Sequence, residues 1–329
     1  MPTRRDEART SRRRAGDNGF RGTIMQGTTP RRLQGMADPL LASMVRAMGL
    51  GESPQFAARS PQVMAYVNRW LENGKHRDGA VNPSPVFPDG VAADDPVALA
   101  RLIKATATEL GADLVGICRL RPAMIDLGVD LPHDFVVATV VHEAYDVVIE
   151  GYAAVEEEAM RVYAEVSDIA TRLAAFVRHL GYPALAHHNG GSCVQAIPVF
   201  HHAGFGELGK HGSLITEQYA AGFRPSFVTT TMPLAEDQPR SFGVQEFCLH
   251  CTICMKNCPG DAIPNEYVLT DGVKRWLTDL EKCYPYSRLR KEYCHLCVDV
   301  CPFNARPYAE TYKAFMKQQR QLGYGTPKS

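Results

Sequence analysis

The 329-residue sequence carries no net charge, because 36 Lys and Arg side chains offset 36 Asp and Glu. Such a balance gives no global pull toward nucleic acid or an anionic membrane. The sequence also lacks any apolar run approaching the ~18–20 residues a membrane-spanning helix needs. Its opening, MPTRRDEARTSRRRAGDNG, has adjacent Arg4 and Arg5 but continues into Asp6 and Glu7, where an export signal has its apolar stretch. It reads as a basic tail, and the protein as cytoplasmic. Nucleotide signatures are missing as well. Lys210 is followed by His211 rather than Ser or Thr, and GFGELG, Gly204 to Gly209, lacks the strand-turn-helix setting and acidic partner of a dinucleotide fingerprint.

What is present is a hydrophobic fraction of 45%, enough for a full core and more than one packing unit. The pattern divides the chain into 1–88, 89–240 and 241–329. The first part is rich in Arg, Gly and Pro, with one helix expected over PQVMAYVNRWLEN. The second starts clearly: Asp95 as helix cap, Pro96 at the first helical position, an amphipathic run, and Gly111 as the stop. DLVGIC, DFVVATVV and SFVTTTMPL read as buried strands. A long helix is expected over EEEAMRVYAEVSDIATRLAAFVRHL, with Ala159, Tyr163, Val166, Ala170, Leu173 and Val177 on one stripe and Gly181 closing it. The fold class is α+β.

Of ten cysteines, eight lie between Cys248 and Cys301. Clustering of this kind points to metal rather than disulfides. CxxCxxCxxxCP runs from Cys248 through Cys251, Cys254 and Cys258 to Pro259, and a stretched copy runs from Cys283 through Cys294, Cys297 and Cys301 to Pro302. In the bacterial ferredoxin signature the first three thiolates hold one cubane and the fourth reaches a second. That logic assigns Cys248, Cys251, Cys254 and Cys301 to one 4Fe-4S cluster, and Cys258, Cys283, Cys294 and Cys297 to another. Paired CxxC modules also make zinc sites, but the third cysteine of the first run and the proline after each fourth cysteine favour iron-sulfur. Two clusters carry electrons and consume none. The chain is therefore either an electron carrier or an enzyme whose larger part holds the acceptor, and roughly 240 preceding residues favour the enzyme.

Three stretches, HLGYPALAHHNG, HAGFGELGKHGSLIT and FGVQEFCLHCTICMKNCP, in that order, resemble the corrinoid-dependent reductive dehalogenases. The resemblance covers roughly 95–307. The epoxyqueuosine reductases, which act on transfer RNA, share the plan and are the nearest competitor. The resemblance implies a nitroreductase-like α+β domain binding cobalamin base-off, followed by a small bacterial-ferredoxin-like domain with two 4Fe-4S clusters. It implies that Co(I) cobalamin removes halide from an organohalide while the clusters relay electrons. There is no DxHxxG, since Val199 stands where the aspartate would precede His201 and Gly204. Gly190, Gly191, Gly204, Gly206 and Gly209 are expected to let backbone amides approach the corrin.

The resemblance also places a proton-donating tyrosine at Tyr163, its basic partner at Arg224 and a polar residue at Asn189. A phenol is a poor acid at neutral pH. A guanidinium about 6 Å away, in an effective dielectric of about 20, favours the phenolate by about 2.8 kcal/mol. Each position has a plainer alternative: Tyr163 as a packing residue of its helix stripe, Arg224 as a surface arginine before Pro225, and Asn189 as a left-handed turn residue beside glycine. Two extra residues between Asn189 and AGFGELG, near His187, His188, His201 and His202, are expected to alter the pocket. With no appended reductase module, electrons are expected from a separate ferredoxin, flavodoxin or reductase. No nucleic acid partner and no membrane span are expected, and a homodimer is left open.

Overall fold

The computed structural model describes residues 60–321, except 90, 127, 271–272, 290–293, 306–309, 312, 315–316 and 318–320. The expected tail at Arg4 and Arg5 lies outside the described residues. Helix α1, Pro61–Asn73, has the range expected from sequence, with the Ser60 hydroxyl accepting from the Val63 amide. Helix α2, Pro96–Glu109, is capped by Asp95, whose carboxylate accepts from the amides of Val97 and Ala98. Gly111 then turns the chain at φ 107°, a conformation costly for any residue with a Cβ. Strands β1, Leu114–Arg119, and β2, Phe135–His142, form an antiparallel pair. The long helix α3 runs Tyr152–His179 and is followed by Gly181 at φ 86°.

Beyond α3 come β3, Ala184–His187, α4, Ala196–His202, and the short antiparallel pair β4, Gly206–Leu208, and β5, Leu214–Thr216. Strand β6, Phe223–Thr230, lies three residues upstream of its expected start and ends before Met232. Its additional residues pair with the far end of β2, Pro225 opposite Val140 and Arg224 opposite Val141. Pro225 is tolerated there because β3 pairs with β6 only over 227–230, leaving the other edge of residue 225 free of a ladder bond.

The main sheet has the order β1-β2-β6-β3, antiparallel throughout. Helices cover both faces. Val137, Val141, Val228 and Ile117 pack with Ile103 of α2 and Val166, Leu173 and Val177 of α3, whereas Val136, Ala138, Val140 and Phe227 pack with Val199 and Phe200 of α4. Two covered faces explain why β2 reads as an unbroken apolar run. Each fully buried Val, Leu or Phe stabilises by about 1.5–3 kcal/mol.

Residues 60–88 belong to this same body. Val63, Val67 and Trp70 of α1 bury against Met160 of α3, and Arg77 bridges to β3 through its carbonyl and its Nε, both bonded to Ala186. A sequence rich in Pro and Gly hid that attachment, which only the partner surface reveals.

The cysteine segment contains α5, Val244–His250, α6, Ile253–Lys256, the hairpin of β7, Val268–Thr270, and β8, Val273–Arg275, then α7, Leu280–Tyr284, α8, Leu296–Asp299, and α9, Pro302–Ala305. It docks on the first unit through Ile215, Ala221, Val244, Trp276, Val298 and Phe303. The buried Glu207 of β4 fastens the joint, because its carboxylate accepts from the amides of Phe242 and Val244 at the start of α5 and from the Ser241 hydroxyl. No described helix is long and apolar enough to cross a membrane.

Candidate active site

Tyr163 of α3, Asn189 after β3 and Arg224 of β6 line one cleft. The cleft holds an inner cavity of about 230 Å³ within about 1910 Å³ of empty space that includes its open mouth. The Arg224 guanidinium carbon stands 5.0 Å from the Tyr163 ring centroid, so the charge lies over the aromatic face. Tyr163 is half-buried, packed between the α1 contact and the main core, yet it also reaches the cleft. Its packing role and its place in the site coexist. Arg224 is no free surface residue, with 15% of its side chain exposed. Asn189 keeps a negative φ, since the residues other than glycine with positive φ are, among those described, Ala220 and Asp261.

Arg224 has partners that sequence reasoning missed. Its Nε donates to Glu143 Oε1 at 2.8 Å, and its Nη2 contacts His295 Nε2 at 3.1 Å. His295 Nδ1 in turn faces Asp299 Oδ1 at 2.9 Å. The Arg224 charge is thus shared with a buried carboxylate, which the bare arginine–phenol estimate left out. Glu143 follows β2, and the register that sets Val141 against Arg224 brings it within reach. A second cavity of about 720 Å³ lies behind this network and is lined by Glu143, Tyr145, His295 and Asp299.

Gly190, Gly191, Gly204, Gly206 and Gly209 are absent from the residues lining the cleft. At Gly190 and Gly206 close approach by the chain itself already demands glycine. A Cβ on Gly206 would meet the Ile215 carbonyl at 2.0 Å, and one on Gly190 would meet the Trp70 carbonyl at 2.5 Å. Gly212 and Gly260 line the cleft instead.

The histidines divide clearly. His187 is fully buried between Thr229 Oγ1 and the Cys193 amide, and His201 packs edge-on against His202, so none of these three touches the cleft. His188 and His211 do line it. Burial holds His188 down at about 3 and His211 at about 4, so both are neutral. His211 Nδ1 accepts from the Ser213 amide, which places its proton on Nε2. That Nε2 and the nearby Thr278 Oγ1 are buried without a hydrogen-bond partner, two polar atoms waiting for a ligand.

The eight clustered thiols fall into two groups. Burial raises Cys248, and the like charges of Cys301, Cys251 and Cys254 add to it. Burial also raises Cys297 and Cys294, reinforced by Cys283 and Cys258 in both cases. Cys254 acts on Cys297 too, so the groups are neighbours. Among the described residues no three Cys, His, Asp or Glu gather as they would around a single metal ion. Backbone amides of Ile253, Leu296 and Phe303 bond to Cys251, Cys294 and Cys301, and the Ala262 amide donates to Cys258 Sγ at 3.4 Å. Such donors favour the thiolate form that cluster iron requires. Cys258, Cys283, Cys294 and Cys297 line the cleft; the other four do not.

Comparison with known proteins agrees with this geometry. Residues 247–305 match the 4Fe-4S dicluster domain. The chain is 30% identical to the tetrachloroethene reductive dehalogenase of Sulfurospirillum multivorans over 257 residues, 64% of this chain and 51% of that protein. A solved reductive dehalogenase, whose structure was described as suggesting a mechanism for B12-dependent dehalogenation, superposes with TM-score 0.70 at 28% identity, covering 78% of this chain and 39% of the other. A catabolic reductive dehalogenase in complex with 3-bromo-4-hydroxybenzoic acid gives TM-score 0.74 at 25% identity, covering 90% and 46%. The chain resembles the reductive dehalogenases in both sequence and fold. It spans about half the length of the reductive dehalogenases it matches.

Proposed function

We propose that the protein is a cobalamin-dependent oxidoreductase that removes halide from an organohalide, R–X + 2e⁻ + H⁺ → R–H + X⁻. The observation that carries this reading is the convergence of Tyr163, Arg224, Asn189 and four thiols of one cysteine group on a single cleft. The cleft suits a corrinoid: Ile197, Phe200, Leu214 and Trp276 offer apolar surface, while His211 Nε2 and Thr278 Oγ1 offer unpaired polar atoms to an amide-bearing macrocycle. A corrinoid bound there would supply a strongly reducing metal able to cleave the carbon–halogen bond.

The rest falls to this chain's own residues. Tyr163 holds the proton that replaces the halide, and Arg224 over its ring stabilises the phenolate left behind. Glu143 keeps the guanidinium in that position. Asn189 orients the phenol or the substrate. Cys258, Cys283, Cys294 and Cys297 would hold the cluster at the cleft and Cys248, Cys251, Cys254 and Cys301 the one beyond it, and the pair would supply electrons drawn from a separate ferredoxin, flavodoxin or reductase. The protein works in the cytoplasm.

The test uses reconstituted protein with tetrachloroethene and 3-bromo-4-hydroxybenzoic acid as probes and a chemical reductant. Tyr163→Phe should lose at least about 100-fold in turnover, with corrinoid absorbance and iron content unchanged. Unaltered turnover in that variant would remove Tyr163 from the mechanism. Wild-type protein that takes up iron and sulfide but no corrinoid would be an electron carrier instead. Restoration of queuosine in a deficient strain, without dehalogenation, would establish the transfer RNA reaction.

A further inference from the structure

Lys210, in the GELGKHG stretch between β4 and β5, is 1% exposed. Its Nζ reaches Asn265 Oδ1 at 3.4 Å and stands 5.7 Å from the Trp276 ring centroid. Both contacts are electrically neutral, and no carboxylate pairs with Lys210 among the described residues. A buried ammonium without a counter-anion is strongly unfavourable, so the anion must be sought nearby. It lies in the cysteine segment. The Lys210 amide donates to the Cys248 thiol, and Trp276, over whose ring the Nζ lies, packs in one buried cluster with Cys248 and Cys301. The lysine thus sits beside the group of thiols farther from the cleft.

We propose that Lys210 is the resident counter-cation of the cluster held by Cys248, Cys251, Cys254 and Cys301, and that it raises the reduction potential of that cluster relative to a neutral side chain. The inference rests on the cluster reading of the eight thiols. Four thiolates leave a 4Fe-4S centre with net negative charge, and each arriving electron adds to it. A fixed positive charge in a low-dielectric setting stabilises the reduced form more than the oxidised form. Lys210 is a tuning residue: it touches neither substrate nor the cleft, and it eases entry of the electron at the outer end of the relay.

The test is an EPR-monitored redox titration of the reconstituted protein, comparing wild type, Lys210→Met and Lys210→Arg. In Lys210→Met the midpoint of one cluster should fall by about 59 mV, a tenfold change in its reduced-to-oxidised ratio, while the other is unmoved. The affected signal should be the one altered by Cys251→Ser, and Lys210→Arg should restore the wild-type midpoint. Loss of that cluster in Lys210→Met with retention in Lys210→Arg would equally support the charge role. Unmoved midpoints in Lys210→Met, or equal loss of the cluster in both variants, would overturn it. Wild-type protein without iron and sulfide would instead bring down the cluster reading itself, an outcome that metal analysis separates from the others.

Discussion

The sheet unit and the cysteine segment are held together by different means. In the sheet unit, two apolar layers flank a four-stranded sheet, and the 28-residue α3 alone buries Val162, Val166, Leu173 and Val177 completely. In the cysteine segment the helices are four to seven residues long, and the β7–β8 hairpin buries none of its residues fully. Such pieces are too short to be stable alone. The difference teaches that the segment depends on its metal and on docking against β5, whereas the sheet unit supports itself.

The strongest attack on this contrast is to strip the iron. Hydrogen exchange across 244–304 should rise to nearly unprotected rates, while α3 and β2 stay protected. Equal protection of both regions after stripping would contradict the contrast.

Acid should reverse the order of weakness. His187, His188 and His211 are all held below the usual value of 6.5 by burial, His187 well below it, His188 at about 3 and His211 at about 4. As pH falls, the unfolded chain takes up protons at these positions before the folded one does. Stability is therefore full above pH 6.5 and declines toward the folded-state values, by about 2 kcal/mol per histidine at pH 5. Thermal unfolding of the cluster-loaded protein should show a falling Tm between pH 7 and 5; a flat Tm would refute the prediction.

A smaller effect is expected at the junction. Gly206→Ala forces a Cβ into the Ile215 carbonyl between β4 and β5 and should cost about 3 kcal/mol. Smallest is Glu207→Ala, which strips the Phe242 and Val244 amides of their acceptor. It should cost about 2 kcal/mol and loosen the cysteine segment before the sheet unit. Denaturant unfolding checks the first, and exchange at the start of α5 checks the second.

Much of the architecture was legible because it obeys local rules. The capped starts of α1 and α2, the stops at Gly111 and Gly181, and the stripe of α3 are set by residues within a few positions of one another. The glycines are less legible for a related reason. A glycine records a close approach but not by what, and at Gly190 and Gly206 the approaching groups include the carbonyls of Trp70 and Ile215.

By itself the sequence determined the α+β class, the main helices and strands, and the dicluster pattern of eight cysteines, because hydrophobic period, caps and metal-ligand spacing are local quantities. With the family resemblance it also nominated Tyr163, Asn189 and Arg224. Only the tertiary structure decided that Glu143 and His295 bond to Arg224, across 81 and 71 residues of chain. The same holds for the buried Lys210 over Trp276 and for the unpaired Nε2 of His211 at the cleft. Those relations depend on strand register and on docking of the cysteine segment, which bring together side chains whose separation along the chain carries no signal.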